Sequence, residues 1–239
     1  MAFYTLVIVV LYPQFQNSTG LESIVKKAPT LSALFGVIGS FTSPAGWLNA
    51  NIYENFFPLL MLLLTIGYGA SAIAGQDEGG LLALVASLPV RRSVLLMQKV
   101  LAMAAQAFLL SLAVAVVVVA GRPFHLHLPI GNIAGVSLGV LLLGLDFGLL
   151  AMAIGAATGR GGTAIGVGAS VATASYLIGS LAPVVRWVHP ARFVSLFYWS
   201  VGNDQLSGGT SLWDILVLVV VGAVGLAVSI RLFERQDLH

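Results

Sequence analysis

Long apolar runs separated by short polar or glycine-rich breaks set the pattern of this chain. Residues 56–75, 93–120, 133–157, 163–182 and 211–230 each hold at most one ionisable side chain. A helix needs about 20 predominantly apolar residues to cross the hydrocarbon of a bilayer, so each of these runs predicts a membrane span. Residues 1–12 are equally apolar but end at Pro13, too soon for a full crossing. They read as the second half of a truncated first span. Residues 14–55 are mixed. Within them Leu21, Ile24, Val25, Ala28, Leu31, Leu34, Phe35 and Ile38 recur at helical spacing, broken by Pro29. That pattern predicts an external amphipathic segment lying on the membrane, with Lys26 and Lys27 on its wet face. The expected fold is an all-α integral membrane protein, a single transmembrane domain over residues 1–239 with about six transmembrane helices.

Composition agrees with that class. Hydrophobic residues make up 58% of the chain, charged residues 8%, and the mean hydropathy is +0.98. A soluble domain carries about 25% charged residues, so this chain lacks a water-facing surface and the lipid bilayer is its first partner. A net charge of +2 gives no footing for nucleic acid. The absence of cysteine excludes disulfides and thiolate metal sites. No basic n-region precedes a small-residue cleavage site, so no removable signal peptide is expected. With six spans both termini share one side, together with Arg91, Arg92, Lys99, Arg160, Arg231 and Arg235. Lys26, Lys27, Arg122, Arg186 and Arg192 fall on the other. Basic residues in short turns and at the C-terminal exit favour a cytoplasmic location for the first set and for the termini.

The most informative stretch is 76–92. Gln76, Asp77 and Glu78 lead into Leu81, Leu84, Val85 and Leu88, a one-sided apolar stripe, and Pro89 then ends the pattern before Arg91 and Arg92. The stripe predicts a short helix at about 77–88, lying along the cytoplasmic interface between spans two and three. Carboxylates at its N-terminus suit the helix dipole, and the arginine pair suits an anionic leaflet.

This stretch resembles the intracellular loop of type-2 ATP-binding-cassette exporter permeases, in which an acidic run, a leucine-rich helix, a proline and basic residues follow the second span. Leu48-Asn49-Ala50-Asn51 before Phe56-Phe57-Pro58-Leu59-Leu60 resembles the start of that family's second span. Gly155-Ala156-Ala157-Thr158-Gly159-Arg160 resembles the turn after its fourth. The chain departs from the pattern at Gly79, Leu81 and Ala83, where a basic residue, threonine and glutamate are usual. The resemblance implies a permease subunit of the plasma (inner) membrane, paired with a second copy or a sister permease. It also implies an ATP-binding-cassette ATPase subunit beneath, coupled through Gln76, Asp77, Glu78, Leu81, Leu84, Val85, Leu88, Pro89, Arg91 and Arg92. ATP and Mg would bind in that partner. The chain's own lysines, Lys26, Lys27 and Lys99, follow no glycine-rich run, so no phosphate-cradling loop is present. No cofactor is expected on this chain.

Few side chains carry chemistry. Asp146 lies near the middle of a span, where a carboxylate is costly unless it is paired or wet. It is the candidate pathway residue, or else a carboxyl held at a helix contact. Trp187, Phe193, Phe197 and Tyr198 gather between the last two spans and form a candidate outer gate, or plain interfacial anchoring. His125 and His127 have no third ligand nearby, so no metal site is expected. The alternative function is a stand-alone secondary carrier or channel using Asp146. An intramembrane enzyme would need Glu and His at helical spacing within spans, and the pattern is absent, so no catalytic residue is expected.

Overall fold

The computed structural model describes residues 1–16, 40–75 and 92–235. The described residues form helices and connecting turns. In chain order these are α1 (Ala2–Phe15), α2 (Pro44–Leu48), α3 (Phe56–Ala70), α4 (Arg92–Ala120), α5 (Ile130–Thr158), α6 (Gly161–Leu181), α7 (Leu196–Ser200), α8 (Gln205–Gly208) and α9 (Leu212–Arg235). Two π-helical stretches, Asn49–Tyr53 and Ser71–Gly75, flank α3. Five stretches are long and apolar enough to cross a membrane: Pro44–Ala74, Ser93–Ala120, Ile130–Thr158, Gly161–Leu181 and Leu212–Glu234. They coincide with the five full spans expected from the apolar runs, except that the first begins well before Phe56. The expected coupling helix at 77–88 and the amphipathic repeat from Leu21 to Ile38 lie outside the described residues.

The central element is α5. It packs against α3, α4, α6, α7, α8 and α9, and its most apolar stretch is 67% buried, against 11% for α9. Lipid tails are as apolar as leucine, so close backbone approach, rather than oil-drop collapse, holds spans together. Gly69 shows the principle. A Cβ there would stand 2.2 Å from the Gly148 carbonyl oxygen of α5, so no larger residue fits without parting the two helices. On the α9 side, the Ser229 hydroxyl donates to the Leu149 carbonyl at 3.1 Å. Outward-facing side chains are apolar: Leu63, Leu101 and Leu109 are each more than 60% exposed. Such a surface is at home only against lipid or another apolar surface.

Local signals set the helix ends. The α5 helix stops at Gly159, whose φ of 63° is a left-handed cap that glycine adopts without strain, and its N–H returns to Gly155. A Ser-x-x-Asp box starts α9. The Ser211 hydroxyl accepts from the Trp213 N–H at 3.2 Å, and Asp214 Oδ2 accepts from the Ser211 N–H at 3.1 Å. Buried Gln205 also donates to Asp214, at 3.1 Å. Asp214, the one charge in the last apolar run, is thereby accounted for.

One end of the bundle carries residues 40–55, 121–129 and 182–211; we call it the loop-rich end. Here α1, with 14 residues, runs antiparallel to the α2 region. The Tyr4 hydroxyl donates to the Asn51 carbonyl, the Trp47 indole to Ile8 and the Tyr12 hydroxyl to Thr42, each at 3.0 Å. Trp47, Leu48, Ile52 and Tyr53 are buried as a result. Residues 44–53 therefore lead into α3 as part of the core. Between α6 and α9 the chain folds back along α5. The Ser200 carbonyl packs 2.6 Å from where a Gly139 Cβ would stand. Gly139 lies roughly 14 Å along α5 from its start, at 1.5 Å per residue. The α7 segment thus dips beside the spans instead of passing over them.

Candidate functional site

Between α3 and α6 lies a cleft of about 610 Å³. Leu59, Leu62, Leu63 and Ile66 of α3 face Ile165, Ala169, Ala172 and Thr173 of α6 across it. Leu59 and Leu63 are 55% and 63% exposed, so the cleft opens on the side of the molecule. Its loop-rich end holds Glu54, Asn55, Tyr176 and Phe197. The volume falls within the roughly 300–1,000 Å³ typical of small-molecule sites.

A break in the backbone creates that polar end. The π turn Asn49–Tyr53 is wider than an α turn, and the helix is interrupted at Asn55, with φ −123° and ψ −80°. π-Helical turns occur frequently at functional sites. The Asn55 amide donates to the Ala50 carbonyl at 2.9 Å, and its Oδ1 accepts from the Tyr176 hydroxyl at 2.9 Å. That bond ties the break to α6. Glu54 is left beside the cleft with Oε1 buried and no hydrogen-bond partner among the described residues. The neighbouring charge it feels is another carboxylate, Asp204. Asp204 stands at the head of α8 with φ 50°, a left-handed conformation that aspartate tolerates better than most residues. Its Oδ1 is also buried without a partner. Asn49, Arg192, Ser200, Gln205 and Thr210 each bury a further unpartnered polar atom, so among the described residues all such atoms except Asp146 Oδ2 belong to the loop-rich end. Buried polar atoms are normally paired, so this concentration sets the loop-rich end apart from the rest of the described bundle.

The candidates read from the sequence fall in different places. Asp146 is buried, with Oδ2 unpartnered among the described residues, but it faces α9. Its Oδ1 lies 2.8 Å from where a Gly222 Cβ would stand, and it is not among the residues lining the cleft. The aromatic group divides. Phe197 is buried and packs edge-on against Tyr176 with ring centroids 5.3 Å apart, closing the cleft. Phe193 and Tyr198 pack together at 5.6 Å on the surface, with the Arg192 guanidinium 4.7 Å from the Phe193 ring centre. Trp187 is 82% exposed and makes no part of either group. Lys99, expected to reach for headgroups, donates to the Ala72 carbonyl in the π turn after α3. Gln76, Asp77, Glu78, Leu81, Leu84, Val85, Leu88, Pro89 and Arg91 lie outside the described residues, and Arg92 opens α4.

Glu54, Asp204 and Tyr176 were not singled out from the sequence. Glu54 sits in the stretch that reads as an external amphipathic segment and Asp204 in the aromatic-rich stretch between the last two spans, and nothing local signals that they meet. The available hint was Glu54 itself, an acid just ahead of the first uninterrupted apolar run. Compared with known proteins, the chain matches no family model and no curated protein significantly.

Proposed function

We propose that this chain is the permease subunit of an ATP-binding-cassette exporter in the plasma (inner) membrane, with its loop-rich end outside. ATP is hydrolysed in a partner subunit, and a second copy or a sister permease completes the pathway. The observation that carries this reading is the side-opening cleft between α3 and α6. Its walls are apolar, its polar head lies at one end, and α7 dips in to close that end. A molecule taken from the membrane would enter sideways and leave past the loop-rich end, and a second subunit laid over the opening would wall the path. The acidic, leucine-rich and basic order of residues 76–92 supports coupling to an ATPase, as does the lack of any phosphate-cradling loop in the chain. The carrier alternative centred on Asp146 has less support, because that side chain faces α9 and not the cleft.

The coupling segment provides the test. Replacing Asp77→Asn, Glu78→Gln and Leu84→Ala together is expected to abolish ATP-driven transport in membrane vesicles while the thermal midpoint of the purified chain stays within about 2 °C, as for surface changes. Undiminished ATP-driven transport in the triple variant would remove the coupling role.

A further inference from the structure

We propose that the cleft between α3 and α6 binds a lipophilic monocation, with its apolar body between the helices and its charge against Glu54. The inference deepens the export reading by naming a substrate class, and its test needs neither ATP nor a partner subunit.

Three independent features converge on this ligand. The first is shape and polarity: a cleft of about 610 Å³ whose walls are leucine, isoleucine and alanine, with its polar groups confined to one end. A wholly apolar molecule would leave that end unsatisfied, and a strongly polar one would waste the walls. The second is charge. Glu54 lines the cleft with Oε1 buried and unpartnered among the described residues, and Asp204 buries an unpartnered Oδ1 at the same loop-rich end. A carboxyl group buried without a partner is costly to ionise. A cation placed against Glu54 offsets that cost and favours the ionised form, whereas an anion adds to it. The third is rigidity. Asn55 is held by Ala50 and by Tyr176 from the facing helix, so the helix break that presents Glu54 is fixed before any ligand arrives, which lowers the entropic cost of binding.

The opening also admits a second copy of the chain, and the experiment separates the two occupants. Tetraphenylphosphonium and tetraphenylborate have the same shape and opposite charge. Binding of each to the purified full-length chain in lipid nanodiscs is measured by equilibrium dialysis, with mass read by light scattering. The expected result is saturable binding of the phosphonium and none of the borate above that of empty nanodiscs. Exchanging Glu54→Gln and Asp204→Asn together keeps the side-chain shapes and is expected to weaken phosphonium binding by about tenfold or more, the size of one charge-assisted contact. Gly67 lines the cleft, and a Cβ built on it meets nothing within 4 Å. Gly67→Phe should therefore fill the cleft without disturbing the bundle, and abolish binding at an unchanged melting temperature. Equal binding of both ions, or phosphonium binding indifferent to the carboxylates, would overturn the proposal. So would a wild-type dimer that binds no phosphonium and is split by Gly67→Phe, which would assign the cleft to a second copy. Binding as expected in a chain that recruits no ATPase would leave this proposal standing and remove the export reading.

Discussion

Asp146 and Glu54 are both carboxylates in apolar surroundings, yet only one of them faces a space a ligand can enter. Asp146 was visible in the sequence because a charge inside a long apolar run stands out. Glu54 was not, because it falls in the stretch that reads as an external amphipathic segment, and Asp204 lies beyond the intervening helices α3 to α7. What makes Glu54 a site is tertiary: the break at Asn55, the Tyr176 hydroxyl and the α8 turn. At Asp146 the physical expectation differs. Leucine has the same branching as aspartate, and replacing a buried unpaired charge with an apolar side chain of similar volume is often stabilising. Asp146→Leu should raise stability by about 1 kcal/mol, read as a higher melting temperature in detergent, and leave tetraphenylphosphonium binding unchanged. Loss of binding in that variant would return Asp146 to the pathway.

Helices were the most legible level. Apolar runs at 93–120, 133–157, 163–182 and 211–230 became α4, α5, α6 and α9 because, in a membrane, length and hydropathy decide and each backbone must satisfy its own hydrogen bonds. The pattern over 14–55 predicts a segment on the membrane surface, yet Trp47, Leu48, Ile52 and Tyr53 within it are buried in the core. Two of its polar side chains bond back to its own backbone, Asn51 donating to Trp47 and Asn55 to Ala50, while Trp47 and Tyr53 turn inward. Packing between helices was legible only in kind: glycine-rich spans forecast close approach but not which glycines meet. Gly69 and Gly67 make the distinction testable. Gly69→Leu forces a side chain against the Gly148 carbonyl and should destabilise the bundle by about 1–3 kcal/mol. Gly67→Phe, two residues away on the same helix, should cost almost nothing. Equal melting temperatures for the two variants would mean that α3 and α5 are not in the contact described.

At the scale of the molecule, four membrane-length helices gather around a fifth, α5, with apolar side chains facing outward, and among the described residues the buried polar atoms without partners, Asp146 Oδ2 apart, collect at one end. That asymmetry gives the bundle a direction, an apolar side opening and a polar exit, which suits a pathway from the membrane outward. In the proposed reading the energy for movement comes from a partner ATPase coupled through residues 76–92. The most direct measurement is purification of the tagged chain from its native membranes in mild detergent, with quantification of what accompanies it. The account predicts an ATP-binding-cassette ATPase in stoichiometric amount, released when Asp77, Glu78 and Leu84 are replaced together. A chain that purifies without an ATPase and still moves its substrate in sealed vesicles lacking ATP would contradict it.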